Sequence, residues 1–342
     1  MTTTARELRY REAINEALRQ EMRRDPTIFV MGEEVAGAPG RAHLGFVDAW
    51  GGAFRTTRGL IQEFGEERVR DTPISEAGFI GAAFGAASVG MRPVVELMFV
   101  DFVGVCFDQL LNNAAKMRYM YGGKVKVPVT VLTRIGAGLG SAAQHSESFY
   151  SLFAHIPGLN GVCPSDPYTA KGLLIAAIRD DDPVVYFEHK KLYNVAGPVP
   201  EEPYTVPIGK ARVLRPGRHV TLVGISAMTG VCLQAAETLA QEGVQAEVVD
   251  LLSISPIDYD TVLESVRRTH RIAVVDEDTP RCSVAADLAA VVAEEGFDWL
   301  DAPPVRVQAP HTPVPYARNL EAAYVPDAPR VVAAVRRLLG RG

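Results

Sequence analysis

A single carboxylate opens a run of small residues at SEAGFIGAAFGAA, where Glu76 precedes Gly78, Gly81, Ala82, Ala83, Gly85, Ala86 and Ala87. Ser75 before it has the chemistry of a helix N-cap, so one reading of Glu76 is a first-turn acid that favours the helix dipole. The glycines point further. Each costs a helix roughly 1 kcal/mol relative to alanine, so several in succession imply that another body approaches the backbone closely. A carboxylate at the mouth of such a helix is partly desolvated, and desolvation is what tunes carboxyl groups for proton transfer. A second candidate is the loop RIGAGLGSAAQHSESF, which carries His145. Gly136 and Gly138 have the spacing of a dinucleotide fingerprint, but Ser141 stands where the third glycine belongs and no βαβ unit of the right length follows. Two readings remain: a flexible active-site loop, or a surface loop with an incidental histidine. His145-Ser146-Glu147 matches part of a zinc-deaminase pattern, yet no PCxxC lies downstream.

Further signals are weaker. MFVDFVGVCFDQ sets Phe99, Phe102 and Phe107 around Asp101, a pattern that ordinarily means core. Asp180, Asp181 and Asp182 read as a solvated turn or, with nearby carbonyls, as a cation site. His155, His189 and His311 show no partner pattern and read as structural.

The elements that must position these residues alternate. Residues 8–24 place Leu8, Ile14, Ala17, Leu18 and Met22 on one helical face, closed by Asp25-Pro26. TIFVMGEEV, RPVVELMF, VPVTVLTR and PVVYFEH read as buried strands, with helices around Leu60–Phe64, over DQLLNNAAKMRYM and from Pro167 to Arg179. Residues 36–59 read as a glycine-rich loop. Strands alternating with helices imply a parallel sheet covered on both faces. Residues 194–217 hold five prolines and read as a linker between a first domain over 1–193 and a second, smaller α/β domain over 218–342. In the second, VTLVGISAMTGVCLQAAETLAQEGVQAEVVDL is a strand–helix–strand unit, RIAVVDED another strand, and 283–295 a further helix.

The 342 residues suffice for two cores of ordinary size. A net charge of −6 without a basic block argues against nucleic acid or an anionic membrane as main partner. The charged, helical start is unlike a signal peptide, and no apolar run is long enough to span a bilayer. Four dispersed cysteines without CxxC argue against zinc and against a disulfide framework, so the expectation is a cytoplasmic protein with reduced thiols.

Taken together, DTPISEAGFIGAAFGAA, ELMFVDFVGVCFDQ, KMRYMYGG, AAQHSES, FAHIPGL, PSDPYTAKGLL and AIRDDDPVV resemble the β-subunits of thiamine-diphosphate-dependent 2-oxoacid dehydrogenases, across essentially the whole chain. The family's signature of a glutamate, four residues, Gly, a small residue, two more and Gly falls on Glu76, Gly81, Ala82 and Gly85. MFVDFVGVCFDQ, PRCSVAADLAA and APHTPVPY are most similar to the acetoin dehydrogenase branch, with the pyruvate branch next; Gln144 stands where branched-chain enzymes carry Tyr. The resemblance implies two three-layer α/β/α domains, a pyrimidine-binding transketolase-like domain and a transketolase C-terminal-like one. It implies that Glu76 hydrogen-bonds a ring nitrogen of the cofactor's aminopyrimidine, so that the cofactor can generate its carbon nucleophile. It places Phe102 against the pyrimidine with Met98 close by, and turns His145 toward substrate and the incoming lipoyl group. Val129, Ala177, Ile178, Asp180 and Asp182 fall where some members hold a structural potassium ion. Family members often have QHSQ where this chain has QHSE, which adds Glu147 beside the loop histidine.

The family's other half-site, Gly-Asp-Gly followed further on by paired asparagines, binds magnesium and the diphosphate. No Gly-Asp dipeptide occurs here, so Asn112-Asn113 has no upstream partner, and there is no P-loop. The resemblance therefore implies a separate α-subunit that supplies Mg2+ and diphosphate binding in an α2β2 assembly, and a dihydrolipoyl acyltransferase core with lipoyl domains as further partner. The expected activity is that of an acetoin dehydrogenase β-subunit, with a pyruvate dehydrogenase β-subunit as the alternative. A self-contained transketolase-like enzyme, a dinucleotide-binding module and a non-catalytic assembly subunit with Glu76 as a mere helix cap are the remaining readings.

Overall fold

A computed structural model describes residues 6–37 and 50–340; residues 38–49 of the glycine-rich stretch expected over 36–59 lie outside them. The first sheet has seven strands in the order Ser253–Ser255, Asn160–Val162, Val184–His189, Thr130–Ile135, Arg92–Leu97, Ile28–Gly32 and Val69–Asp71. All pairings are parallel except that of Ser253–Ser255 with Asn160–Val162. Thr130–Ile135 and Val184–His189 are buried at every position, as a parallel sheet covered on both faces requires. Helices Tyr10–Arg24 and Pro167–Arg179 share one face, packing Ile14, Leu18, Leu173 and Ile175 over Val30, Val94 and Leu132. Asp166 caps the second of these by accepting the Thr169 N–H at 2.7 Å, with Pro167 at its first position.

The second sheet runs Val305–Gln308, Ile272–Asp276, Val220–Gly224, Ala246–Asp250, Arg212–Arg215, antiparallel only at the last pair. Helices Ala227–Gln241 and Ala328–Leu338 cover one face. Tyr259–Thr269 and Val284–Glu295 cover the other, and there the core continues without a break into Phe187, Ile254 and Phe153 of the first unit. The two sheets thus share one apolar interior.

Three expectations need correction. Leu8 lies in a strand, Glu7–Arg9, and the helix starts at Tyr10. The proline-rich stretch 194–217 is strand at both ends: Ala196–Pro198 pairs with Glu7–Arg9, and Arg212–Arg215 is an edge of the second sheet, before residue 218. Pro198 is tolerated there because an edge strand leaves one row of N–H groups unused. The chain also returns to the first sheet through Ser253–Ser255, so the division at 217/218 is not one-way. The helix expected over DQLLNNAAKMRYM is not uniform: a 3-10 turn, Val100–Phe102, and a helix, Val103–Asp108, lead into it, Gln109–Ala114 is π-helical, and Ala115–Met120 is α-helical.

Candidate active site

In the first sheet the chain passes from Ile28–Gly32 to the edge at Val69–Asp71, then returns to the other side of Ile28–Gly32 as Arg92–Leu97. That reversal is a switch point, and in open parallel sheets ligands bind beyond the carboxyl ends of the strands there. Glu33 and Met98 leave those two ends directly. Asp71 leads within five residues to Glu76, and Ile135 leads into the loop with His145.

Glu76 is the first residue of helix Glu76–Ser88 and only 6% exposed. Ser75 gives no side-chain cap, and no hydrogen bond or ion pair reaches the Glu76 carboxylate among the described residues. Its charge is felt by two neighbours. Burial, then Glu76, Glu96 and Glu34, raise the Glu33 carboxyl above its ordinary range, and Glu33 Oε1 is buried without a partner. Burial and Glu76 push the Cys106 thiol up to about 12. Phe102 precedes helix Val103–Asp108, which packs on the Glu76 helix through Cys106. Gly81 permits this packing: a Cβ there would lie 3.1 Å from the Gln109 side chain.

His145 meets the aromatic cluster edge-on, 4.7 Å from Phe99 and 5.4 Å from Phe102, ring centre to centre. Phe99 and Phe102 are half-buried and wall this corner, while Phe102 and Phe107 also pack on the core, as their pattern in the sequence implies. Met98 is half-buried beside them. The structure therefore brings Phe102 and His145 together, with Met98 and Glu76 on the adjoining strand end and helix start.

The His145 loop is held by charge on its backbone. Ala137 donates to Glu277 Oε1 at 2.5 Å, Gly138 to Glu321 Oε1 at 2.7 Å, and Gly140 to both Glu321 oxygens at 3.1 and 3.0 Å. Glu147 donates its N–H to Asp101 Oδ1 at 3.3 Å, and the Lys190 ammonium donates to the His145 carbonyl. Burial raises the Asp101 carboxyl, against the pull of the Glu147 N–H and Lys190. Burial and Asp101 push Glu147 up to about 7. None of Lys190, Glu277 and Glu321 stands out in the sequence, whose only local hint is the apolar strand that delivers Lys190 into the interior. His189, read as structural, lies in this scaffold: its Nδ1 accepts from the Lys191 N–H at 3.2 Å, which leaves Nε2 to donate to Glu277 at 2.9 Å.

A second charged centre lies beneath. Arg134 is fully buried, 2.6 Å from Glu96 and 3.6 Å from Glu188, and donates to Tyr193 Oη and Thr56 Oγ1 at 3.0 Å each.

Val129, Ala177, Ile178, Asp180 and Asp182 sit elsewhere, around the end of helix Pro167–Arg179. The Ile178 carbonyl accepts from Arg92 Nε at 2.9 Å, the Asp180 carbonyl also accepts from Arg92, and Asp182 pairs with Arg118 at 2.6 Å. Val129 oxygen accepts the Val184 N–H at 3.0 Å. These oxygens already have partners, and a guanidinium occupies the corner where the resemblance implies potassium.

Residues 6–195 match the family model of the transketolase pyrimidine-binding domain, and 209–331 that of the transketolase C-terminal domain. The chain belongs to the transketolase-like family. Within it, the chain is 53% identical to the beta subunit of acetoin:2,6-dichlorophenolindophenol oxidoreductase of Bacillus subtilis, covering 98% of each chain. It is 52% identical to the subunit of the same name in Cupriavidus necator, covering 99% of each. A pyruvate dehydrogenase E1 beta subunit of Oryza sativa is 43% identical over 98% of this chain and 87% of its own length. The solved structure of a split-gene transketolase, an inactive beta4 tetramer, superposes with a TM-score of 0.77 at 24% identity, over 97% of this chain and 98% of that one. That likeness shows that the transketolase-like fold spans both sheets. No described helix of the chain is long and apolar enough to cross a membrane.

Proposed function

We propose that the chain is the beta subunit of the thiamine-diphosphate-dependent component of an acetoin dehydrogenase complex, which cleaves acetoin and passes the two-carbon unit to lipoamide. The observation that carries this reading is a buried Glu76, without a hydrogen bond or ion pair among the described residues, at the switch point of a chain more than half identical, end to end, to acetoin oxidoreductase beta subunits. The orphaned Glu33 oxygen and the half-buried Phe102 also fit the aminopyrimidine half of the cofactor. Thiamine diphosphate, when bound, supplies a carbon nucleophile for the substrate carbonyl and a sink for the electrons released on cleavage.

The chain's own residues bind and move protons. Glu76 holds a proton at a pyrimidine nitrogen; in a dry site a charge-assisted bond of this kind is far stronger than in water. Phe102 and Met98 pack on the ring and exclude water. His145, fixed edge-on by Phe99 and Phe102, faces the substrate and donates or orients a proton at its oxygen. Magnesium and the diphosphate are held by an α-subunit in an α2β2 assembly, because this sequence carries no Gly-Asp motif for them. The dihydrolipoyl acyltransferase core and its lipoyl domains are the further partners. Arg92 already takes the Ile178 and Asp180 carbonyls and Arg118 pairs with Asp182, so potassium at Val129, Ala177, Ile178, Asp180 and Asp182 forms no part of this reading. The second reading, oxidative decarboxylation of pyruvate, draws on the plant relative at 43% identity.

Calorimetric titration of thiamine diphosphate with magnesium tests the divided site, first into this chain alone and then into the chain co-expressed with its α-subunit. Binding by the pair alone is expected; tight binding by the isolated chain refutes it. Acetoin turnover well above pyruvate turnover by the assembled pair is expected, and the reverse order selects the second reading.

A further inference from the structure

Three carboxylates from three elements hold the amides of the His145 loop: Asp101 in the turn Val100–Phe102, Glu277 just after strand Ile272–Asp276, and Glu321 in helix Arg318–Tyr324. Glu277 and Glu321 are 3% exposed. Three anions converging on one loop repel one another in a low-dielectric interior unless a cation answers them. Lys190 is placed to do so. It is 4% exposed and interacts electrostatically with Asp101, Glu277 and Glu321. Its ammonium lies 5.3 Å from the centre of the Phe99 ring, which itself contacts His145.

We propose that Lys190 is the positioning residue of His145: its ammonium bonds the His145 carbonyl and is the common counter-charge of Asp101, Glu277 and Glu321, which anchor the rest of the loop. Glu277 and Glu321 belong to the second domain and tie the loop amides to it, so Lys190 supports the loop where the two domains meet. The inference rests on the catalytic role given above to His145. Lys190 acts through His145 and touches no reacting atom.

Four variants of the assembled α2β2 enzyme, loaded with thiamine diphosphate and magnesium, separate the possibilities: Lys190→Met, Lys190→Arg, His145→Ala, and Lys190→Met combined with His145→Ala. Displacement of a positioned group by about 1 Å can cost about 100-fold, so Lys190→Met is expected to lower kcat by about that factor while KM changes only a few-fold. Lys190→Arg restores most of it. In the His145→Ala background, Lys190→Met costs nothing further, because the group it positions is gone. A kcat within about twofold of wild type in Lys190→Met, or an equal loss in both backgrounds, overturns the proposal. Full turnover in His145→Ala alone would instead remove the role of His145, a separate failure. Should Lys190→Met fail to assemble, amide exchange in the wild-type chain decides. Burial brings Lys190 down to about 8 against the opposing pull of Asp101, Glu277 and Glu321, the charged groups that face it. Protection of the Ala137, Gly138, Gly140 and Glu147 amides, corrected for intrinsic base catalysis, should then fall between pH about 7 and about 9. Unchanged protection across that range overturns the proposal.

Discussion

Replacing Glu76 with Gln removes one charge and keeps the shape. Two accounts of the residue predict stability changes of opposite sign. If Glu76 only complements the helix dipole, its charge contributes about 0.3–1 kcal/mol to stability, and Gln should cost that much while leaving turnover alone. The surroundings say otherwise. Ser75 makes no cap, the carboxylate is 6% exposed without a partner among the described residues, and the described ionisable groups its charge reaches are acids: Glu33, raised by burial and by Glu76, and Cys106, pushed up to about 12 by the same two causes. A charge that raises its neighbours' pKa values is a net cost to the fold. Glu76→Gln should therefore leave the chain as stable as wild type or more so, with α2β2 assembly intact. Turnover should fall by about 10²–10⁴, the range for loss of a general acid–base group, or about 2.7–5.4 kcal/mol of activation free energy. The assay is acetoin-dependent dye reduction by the assembled enzyme, with thermal unfolding in parallel. Cys106 should titrate lower in the variant, read by thiolate absorbance. A lowered melting temperature together with turnover within about threefold of wild type would refute the catalytic assignment and restore the helix-cap reading.

Arg134→Met should cost about 3–5 kcal/mol in urea unfolding, because Glu96 and Glu188 are left buried without their counter-charge; adding Glu96→Gln and Glu188→Gln should recover most of the loss. Glu147, pushed up to about 7 by burial and Asp101, carries a folded-state pKa above its unfolded value, so its protonation stabilises the fold at acid pH and that contribution is lost as pH rises through about 7. Glu147→Gln should accordingly melt higher than wild type at pH about 8, with the gap closing toward pH about 4.5, and a gap that widens on acidification would contradict the assignment. Gly85 is exposed, and a Cβ there meets nothing within 4 Å, so Gly85→Leu should leave the chain folded but prevent α2β2 assembly in size-exclusion chromatography; full assembly would mean that no partner packs on that helix face.

How much of the structure is legible in the chain depends on the range of the interactions concerned. Apolar runs such as VVYFEH and VTVLTR announce buried parallel strands because burial on both faces leaves its mark residue by residue. Leu8 reads as helical because the strand it joins is completed by Gly197, far along the chain, and nothing local encodes that pairing. Ser253–Ser255 carries no strand signal of its own for the same reason, since its partner is Asn160–Val162. Glu76, Phe102, Met98 and His145 owe the roles proposed for them to family resemblance; spacing alone leaves Glu76, Phe102 and His145 each with a bland alternative. Lys190, Glu277 and Glu321 are out of reach of both, because their chemistry consists in meeting one loop from three elements.

The glycines of RIGAGLGS show how a correct physical signal can carry a wrong ligand. Gly136, Gly138 and Gly140 all adopt positive φ, at +96°, +100° and +69°. A Cβ on Gly136 would lie 2.3 Å from His189 Nε2, and one on Gly138 would lie 2.1 Å from Lys191 Cε. Successive amides in such a backbone turn inward and form a concavity for an anion, which is why the pattern resembles a phosphate cradle. Here the anions are internal. Glu277 takes the Ala137 amide, and Glu321 takes those of Gly138 and Gly140. The loop that presents His145 is thus built on the physics of a nucleotide-binding turn, with carboxylates of the second domain standing where a diphosphate would lie. A phosphate could leave and release the loop; a side chain covalently rooted in a helix, as Glu321 is, or at the end of a buried strand, as Glu277 is, cannot. That difference favours a loop whose position is preset before substrate arrives, the arrangement the proton donor proposed at His145 needs if its geometry is not to be assembled anew at each turnover.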